Sequence, residues 1–314
     1  GAKVTTTLYG PLDHISAYDG SPTDTILIDA RIAFTDGDGD TVETIISTRV
    51  NDDGPTVSAN AVVQLDDDTL SGGNVGGVGT TIDGTGGDAI VAHTSGTLGH
   101  GFGADGGSIA WLTTGNPSGF AYGLAADGTT LLVKQGGTTV IEVSLNPATG
   151  EYVVTQVAPV HHAPGEGEND LDLTLTYRVT DGDGDFADGT LTIDIDDDTP
   201  TVRHGSRSIT VSEGELTDSA SYDWTATPSG NASVKMGADG FGSAEFTGYL
   251  KLDTAIGKSV GNVTFDLNAG PGTSPKLTSD GVAVTFEKVD AHTIIGYVGS
   301  SDHVVIELKL DGAK

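Results

Sequence analysis

Short stretches of alternating apolar and polar residues run through this chain, and helical periodicity is nearly absent. Thr25-Ile26-Leu27-Ile28-Asp29-Ala30-Arg31-Ile32 is one such stretch, Leu171-Asp172-Leu173-Thr174-Leu175-Thr176-Tyr177 another, and Val304-Val305-Ile306-Glu307-Leu308 a third. Each is bounded by Gly, Asp, Asn or Pro. Successive side chains of an extended strand point to opposite faces, so this period predicts half-buried strands in an all-β fold. The 314 residues suffice for about two domains with hydrophobic cores of their own.

The alternating stretches belong to a long repeat. Asp36-Gly37-Asp38-Gly39-Asp40 returns as Asp181-Gly182-Asp183-Gly184-Asp185, and Asn51-Asp52-Asp53-Gly54-Pro55-Thr56-Val57 returns as Asp196-Asp197-Asp198-Thr199-Pro200-Thr201-Val202; both pairs stand 145 positions apart. Gly103-Ala104-Asp105-Gly106 has a weaker counterpart in Gly237-Ala238-Asp239-Gly240. The two ends also match an internal segment. Val140–Leu145 is echoed by Val305–Leu310, and the following Val153–Pro159 by Val4–Pro11, while the tripeptide Gly-Ala-Lys both opens and closes the chain. These matches predict one period of a tandem array, cut inside a domain. Residues 1–54 would be the C-terminal part of one β-sandwich repeat, 55–199 a complete repeat, and 200–314 a repeat lacking its last strands. The terminal fragments would then pair within the chain or with a neighbouring chain, since unpaired strand edges are costly.

Charge narrows the partners. The chain carries 45 Asp and Glu against 14 Lys and Arg, for a formal net charge of -31. Such a surface repels nucleic acid and anionic membranes. It suits cations, or serves as a solvated acidic face that keeps the chain soluble. There is no cysteine, which excludes disulfides and thiolate-bound zinc. No apolar run approaches the length of a membrane helix. The sequence opens without a secretory leader, which is expected to lie outside this stretch.

The acids are clustered. In Asp36, Asp38, Asp40 and in Asp181, Asp183, Asp185, carboxylates alternate with glycines that permit a tight turn. Three carboxylates so close repel one another unless a cation neutralises them, and calcium takes six to eight oxygen ligands of this kind. Neither set fits an EF-hand loop. Its sixth and twelfth positions would fall on Thr41 and Ser47, or on Phe186 and Thr192, where glycine and glutamate are required. A second kind of cluster, Asp52-Asp53 before Pro55 and Asp196-Asp197-Asp198 before Pro200, closes a domain. Proline cannot donate to a sheet ladder and marks the boundary. Calcium shared across that boundary would draw on the next domain as well, with Asp66, Asp67 and Asp68 as candidates at the first junction and Glu213 and Glu215 at the second. The plain alternative is an acidic, flexible linker.

The segments Phe34–Val57 and Val179–Val202, FTDGDGDTVETIISTRVNDDGPTV and VTDGDGDFADGTLTIDIDDDTPTV, resemble the repeat domains of giant bacterial adhesins related to repeats-in-toxin proteins and exported by type I secretion. The Asp-Asp-x-Pro ending is also similar to cadherin linkers. The resemblance implies tandem immunoglobulin-like or cadherin-like β-sandwiches in an elongated array, calcium as the bound cofactor, and an extracellular, cell-surface location. It implies a structural role that holds an adhesive region away from the cell, with neighbouring repeats and a host or surface ligand as partners. Asn51 replaces the aspartate found at Asp196, so the first junction departs from the second. Two rival readings are a carbohydrate- or protein-binding module, sought in 200–314, and a repeating subunit of a surface layer. No enzyme is expected, because no nucleophile elbow, P-loop or dinucleotide fingerprint occurs. His161 and His162 are adjacent and would point to opposite faces of a strand, and His14 takes a comparable place in the first copy, which favours a repeated structural role over zinc. Trp111 and Trp224 suit core packing better than sugar stacking.

Overall fold

The computed structural model describes residues 3–14, 24–73, 94–163, 170–202, 234–235, 237–252 and 263–310. In chain order the strands are β1 (Thr25–Thr35), β2 (Thr41–Asn51), β3 (Thr56–Val57), β4 (Val63–Asp66), β5 (Ser95–Thr97), β6 (His100–Gly101), β7 (Gly107–Leu112), β8 (Phe120–Leu124), β9 (Leu131–Gln135), β10 (Thr138–Leu145), β11 (Glu151–Gln156), β12 (Leu171–Asp181), β13 (Phe186–Asp196), β14 (Thr201–Val202), β15 (Val234–Lys235), β16 (Tyr249–Leu252), β17 (Val263–Asp266), β18 (Gly272–Ser279), β19 (Val282–Asp290), β20 (Thr293–Val298) and β21 (Val304–Lys309). The one helical turn among the described residues is a 3-10 turn, Asp67–Thr69. The protein is therefore all-β, as the alternating pattern predicts. It divides into two compact units, Gly1–Gly240 and Phe241–Lys314.

The first unit contains a two-sheet sandwich. One sheet has the order β5-β11-β10-β9-β8 and the other β4-β13-β12-β7. Leu131, Val133, Ile141, Val143, Tyr152 and Val154 of the first sheet join Val63, Ile109, Trp111, Leu173, Leu175, Tyr177, Leu191, Ile193 and Ile195 of the second in one buried core. Strand β12 shows why: Leu173, Leu175, Tyr177 and Val179 are buried while the residues between them are not. The same inward series ends on Asp181, which places a carboxylate at the rim of an apolar core. Trp111 packs edge-on against Tyr177, with ring centroids 6.3 Å apart, so it is a core residue. Trp224 lies outside the described residues.

Strands β1 and β2 form a separate hairpin in perfect register, with the same long arms and the same Asp-Gly turn as β12 and β13. The two hairpins differ in cover. Ile28 and Phe34, the counterparts of buried Leu173 and Val179, are 47% and 41% exposed. Val4–Pro11, the counterpart of Val153–Pro159 whose first residues lie in β11, carries no strand assignment; a strand exists by its ladder, and this segment pairs with none among the described residues. In the second unit, β18-β19-β20-β21 form a four-stranded sheet and β16-β17 a ribbon. Phe265, Leu267, Val284, Phe286 and Ile294 make its core, while Val304, Val305 and Ile306 of β21 stay exposed.

Candidate metal centres at the two aspartate junctions

The two Asp-Gly turns have one geometry. In the first, Asp36 N–H donates to Asp40 O at 3.0 Å, and in the second Asp181 N–H donates to Asp185 O, also at 3.0 Å. Gly39 and Gly184 occupy the left-handed region at φ 106° and 109°, which only glycine enters cheaply. Within the first turn Asp36 Oδ1 accepts the N–H groups of Asp38, Gly39 and Asp40. The Asp38 side chain and these backbone donors hold its carboxyl below the ordinary range. One oxygen each of Asp36, Asp38 and Asp40 lies within 4.8 Å of the others, and all three residues are exposed.

The second turn is covered. His14 N–H donates to Asp183 Oδ2 at 3.1 Å, and the Asp185 carboxyl meets that of Asp52. Asp52 and Asp53, at the end of β2, come together with Asp105. Asp53 Oδ2 accepts the N–H of Ala104 at 2.9 Å. Gly103, at φ 80°, leaves no room for a Cβ, which would stand 2.7 Å from Asp53 O. The first junction and the second Asp-Gly turn are therefore one site, drawing on His14, Asp52, Asp53, Asp105, Asp181, Asp183 and Asp185. Asp105 Oδ1, Asp181 Oδ2, Asp183 Oδ1 and Asp185 Oδ2 are buried and make no hydrogen bond. Burial and its neighbour Asp183 push the Asp181 carboxyl up to about 6. Burial raises Asp105 too, helped by Asp183 and Asp53.

The second junction repeats the first. Asp198 Oδ2 accepts the N–H of Ala238 at 2.6 Å, and Gly237, at φ 84°, lies against that carboxylate as Gly103 lies against Asp53. Asp198 N–H donates to Asp197 Oδ1 as Asp53 N–H donates to Asp52 Oδ1, both at 2.9 Å. Asp197 gathers with Asp67 and His162. Asp196 gathers with Asp170 and Asp194, and burial together with Asp170 pushes its carboxyl up to about 7. Asp196 Oδ1 is buried without a hydrogen bond.

The expected partners are redistributed. Asp66 and Asp67 lie at the second junction and not the first, because β4 runs parallel to β13 and sets Asp66 beside Asp196. Asp67 is buried, accepts Val160 N–H at 2.9 Å and the Gln156 amide, and burial pushes it up to about 7. Glu213 and Glu215 lie outside the described residues. Asp105, Asp170, His14 and His162 were absent from the metal set read from sequence, and Asp67 was expected at the first junction. The Gly-Ala-Asp-Gly match carried a signal for Asp105. The others come together only through the fold.

Hard oxygens dominate the first site, and several are buried without partners. That donor set fits calcium, which accepts many carboxylate oxygens at once. The fold and these sites define a class: an all-β protein with acidic clusters at both ends of a sandwich. Over residues 62–195, somewhat under half of the chain, it is similar to a family described as a domain of unknown function (DUF5801); this stretch is nearly the whole sandwich, from before β4 to the end of β13. No curated protein and no solved structure matches the chain.

Proposed function

We propose that this chain is a calcium-stabilised structural segment of a secreted bacterial cell-surface adhesin, in which bound ions stiffen the junctions between successive β modules. One observation carries the reading. Asp105, Asp181, Asp183 and Asp185 each hold a buried carboxylate oxygen without a hydrogen-bond partner, and they face Asp52 and Asp53 from the preceding hairpin. Unpaired buried carboxylates are expensive, so such an arrangement calls for a counter-ion. An ion bridging them ties the hairpin to the sandwich and stabilises the folded state by linkage, because the unfolded chain has no such site. The resemblance of Phe34–Val57 and Val179–Val202 to adhesin repeats supplies the cellular setting. Resident calcium would be held by Asp52, Asp53, Asp105, Asp181, Asp183 and Asp185 at the first junction, and by Asp196, Asp197 and Asp198 with Asp66 and Asp170 at the second.

Calcium titration by calorimetry, followed by small-angle scattering, tests the reading. Calcium is expected to bind, to raise the melting temperature and to reduce flexibility. A chain whose melting and scattering are the same in calcium and in chelator overturns it.

A further inference from the structure

Each junction also contains a histidine in a setting that calcium does not explain. His162 Nε2 lies 3.2 Å from the carbonyl oxygen of Ile195, and His14 Nε2 lies 3.2 Å from that of Val50. A carbonyl only accepts, so Nε2 carries the hydrogen in both rings and fixes their orientation. The other nitrogen, Nδ1, then points at a carboxylate: Asp197 Oδ1 at 3.2 Å for His162 and Asp52 Oδ1 at 3.4 Å for His14. The two imidazoles are 2% and 5% exposed, and neither Nδ1 makes a hydrogen bond.

Two states of the ring compete. A protonated Nδ1 would form a charge-assisted hydrogen bond, for which about 2.7–2.9 Å and good alignment are usual; both contacts are longer and unaligned. A neutral Nδ1 sets its lone pair against a carboxylate lone pair, which is unfavourable unless a cation lies between them. Two ligands at about 2.0–2.1 Å from a tetrahedral zinc ion stand roughly 3.3 Å apart, close to both observed separations. A third donor completes each set. Asp67 joins His162 and Asp197, and Asp183 joins His14 and Asp52, with all ligand atoms of a set within 4.8 Å of one another. Asp67 is itself held by Val160 N–H and Gln156. A ligating histidine normally donates its second N–H to a carbonyl or carboxylate, which fixes its tautomer, and both rings do so here.

We infer that His162 with Asp67 and Asp197, and in repeat His14 with Asp52 and Asp183, form sites for a borderline divalent transition ion of the zinc class. Imidazole with carboxylates suits such an ion, whereas calcium prefers oxygen alone. Three protein donors leave a fourth position for water or for a group from outside. The inference shares Asp52 and Asp183 at the first junction and Asp197 at the second with the calcium reading, but does not depend on the adhesin role.

The test uses the full chain in saturating calcium, with zinc added and its uptake followed by competition against a chromophoric chelator. Two ions are expected, one at His162 and one at His14. His162→Ala and His14→Ala should each weaken one site by about tenfold or more, and the double variant should lose both, while the calcium-induced rise in melting temperature persists in His162→Ala. In the unsubstituted chain, zinc should move the nitrogen NMR resonances of Nδ1 in both rings and leave Nε2 protonated. No zinc uptake in calcium, uptake equal in wild type and double variant, or an Nδ1 that stays protonated through neutral pH in the presence of zinc would each overturn the inference. Loss of calcium stabilisation with normal zinc uptake would instead count against the calcium reading.

Discussion

Asp53 Oδ2 accepts the backbone N–H of Ala104 at 2.9 Å, across fifty-one residues of chain. Asp198 repeats the bond with Ala238. In each case a carboxylate two residues before a proline accepts a backbone N–H from much later in the chain. Asp53→Asn keeps an acceptor and Asp53→Ala removes it. In chelator, urea unfolding should show Asp53→Ala less stable by about 1 kcal/mol and Asp53→Asn nearly unchanged. Calcium affinity should fall in both.

The two Asp-Gly turns share a shape but not a setting, and they should answer differently to substitution. Asp183 is drawn into the first junction by His14, whereas Asp38 is exposed with its neighbours Asp36 and Asp40. Asp183→Asn should reduce the rise in melting temperature that calcium produces. Asp38→Asn should leave it within error. Scanning calorimetry of both variants with and without calcium checks the contrast.

Protonation should stand in for metal. The carboxyls of Asp181, Asp67 and Asp196 are pushed up to about 6, 7 and 7 from an ordinary 3.8. Between those values the folded chain binds more protons than the unfolded one, so without metal its stability falls as pH rises through the raised values. In chelator the melting temperature at about pH 5 should therefore exceed that at about pH 7.5. Calcium must displace the protons of Asp181 and Asp196, so the stabilisation it gives should grow with pH. A chelated chain that melts higher at the higher pH would contradict the sign.

Tyr177 lies opposite Gly189 in the β12–β13 ladder, and its ring fills the space where a Cβ on Gly189 would stand, 2.4 Å from Cζ. Its hydroxyl donates to Gly99 O at 2.9 Å and accepts from Asn60. Gly189→Ala should cost about 1–3 kcal/mol by overpacking, and Tyr177→Phe about 1 kcal/mol through the lost hydrogen bonds. Chemical denaturation of the two variants measures both.

The strands and turns of this protein were legible because their determinants are local. Period-two alternation marked β12 and β21, and Asp-Gly repetition marked both hairpin turns, since a turn is set by residues within a few positions of one another. The repeat at 145 positions showed that the two junctions correspond. What the sequence did not place was the far side of each site. Asp67 reaches the second junction through a parallel pairing of β4 with β13, between strands more than a hundred residues apart, and no local pattern encodes that register. His14 and His162 stand 148 positions apart, not 145, so they fall slightly out of step with the motif they serve. Their adjacency to Asp52 and Asp197 emerges only when each segment folds back along the strand that ends in the aspartates.

The hairpin of β12 and β13 has arms of eleven residues, about 34 Å at the usual strand rise. One tip bears Asp181, Asp183 and Asp185, and the other Asp196, Asp197 and Asp198. The two ends of the hairpin therefore meet different neighbours: the turn lies against His14 and Asp52, and the open end against Ala238.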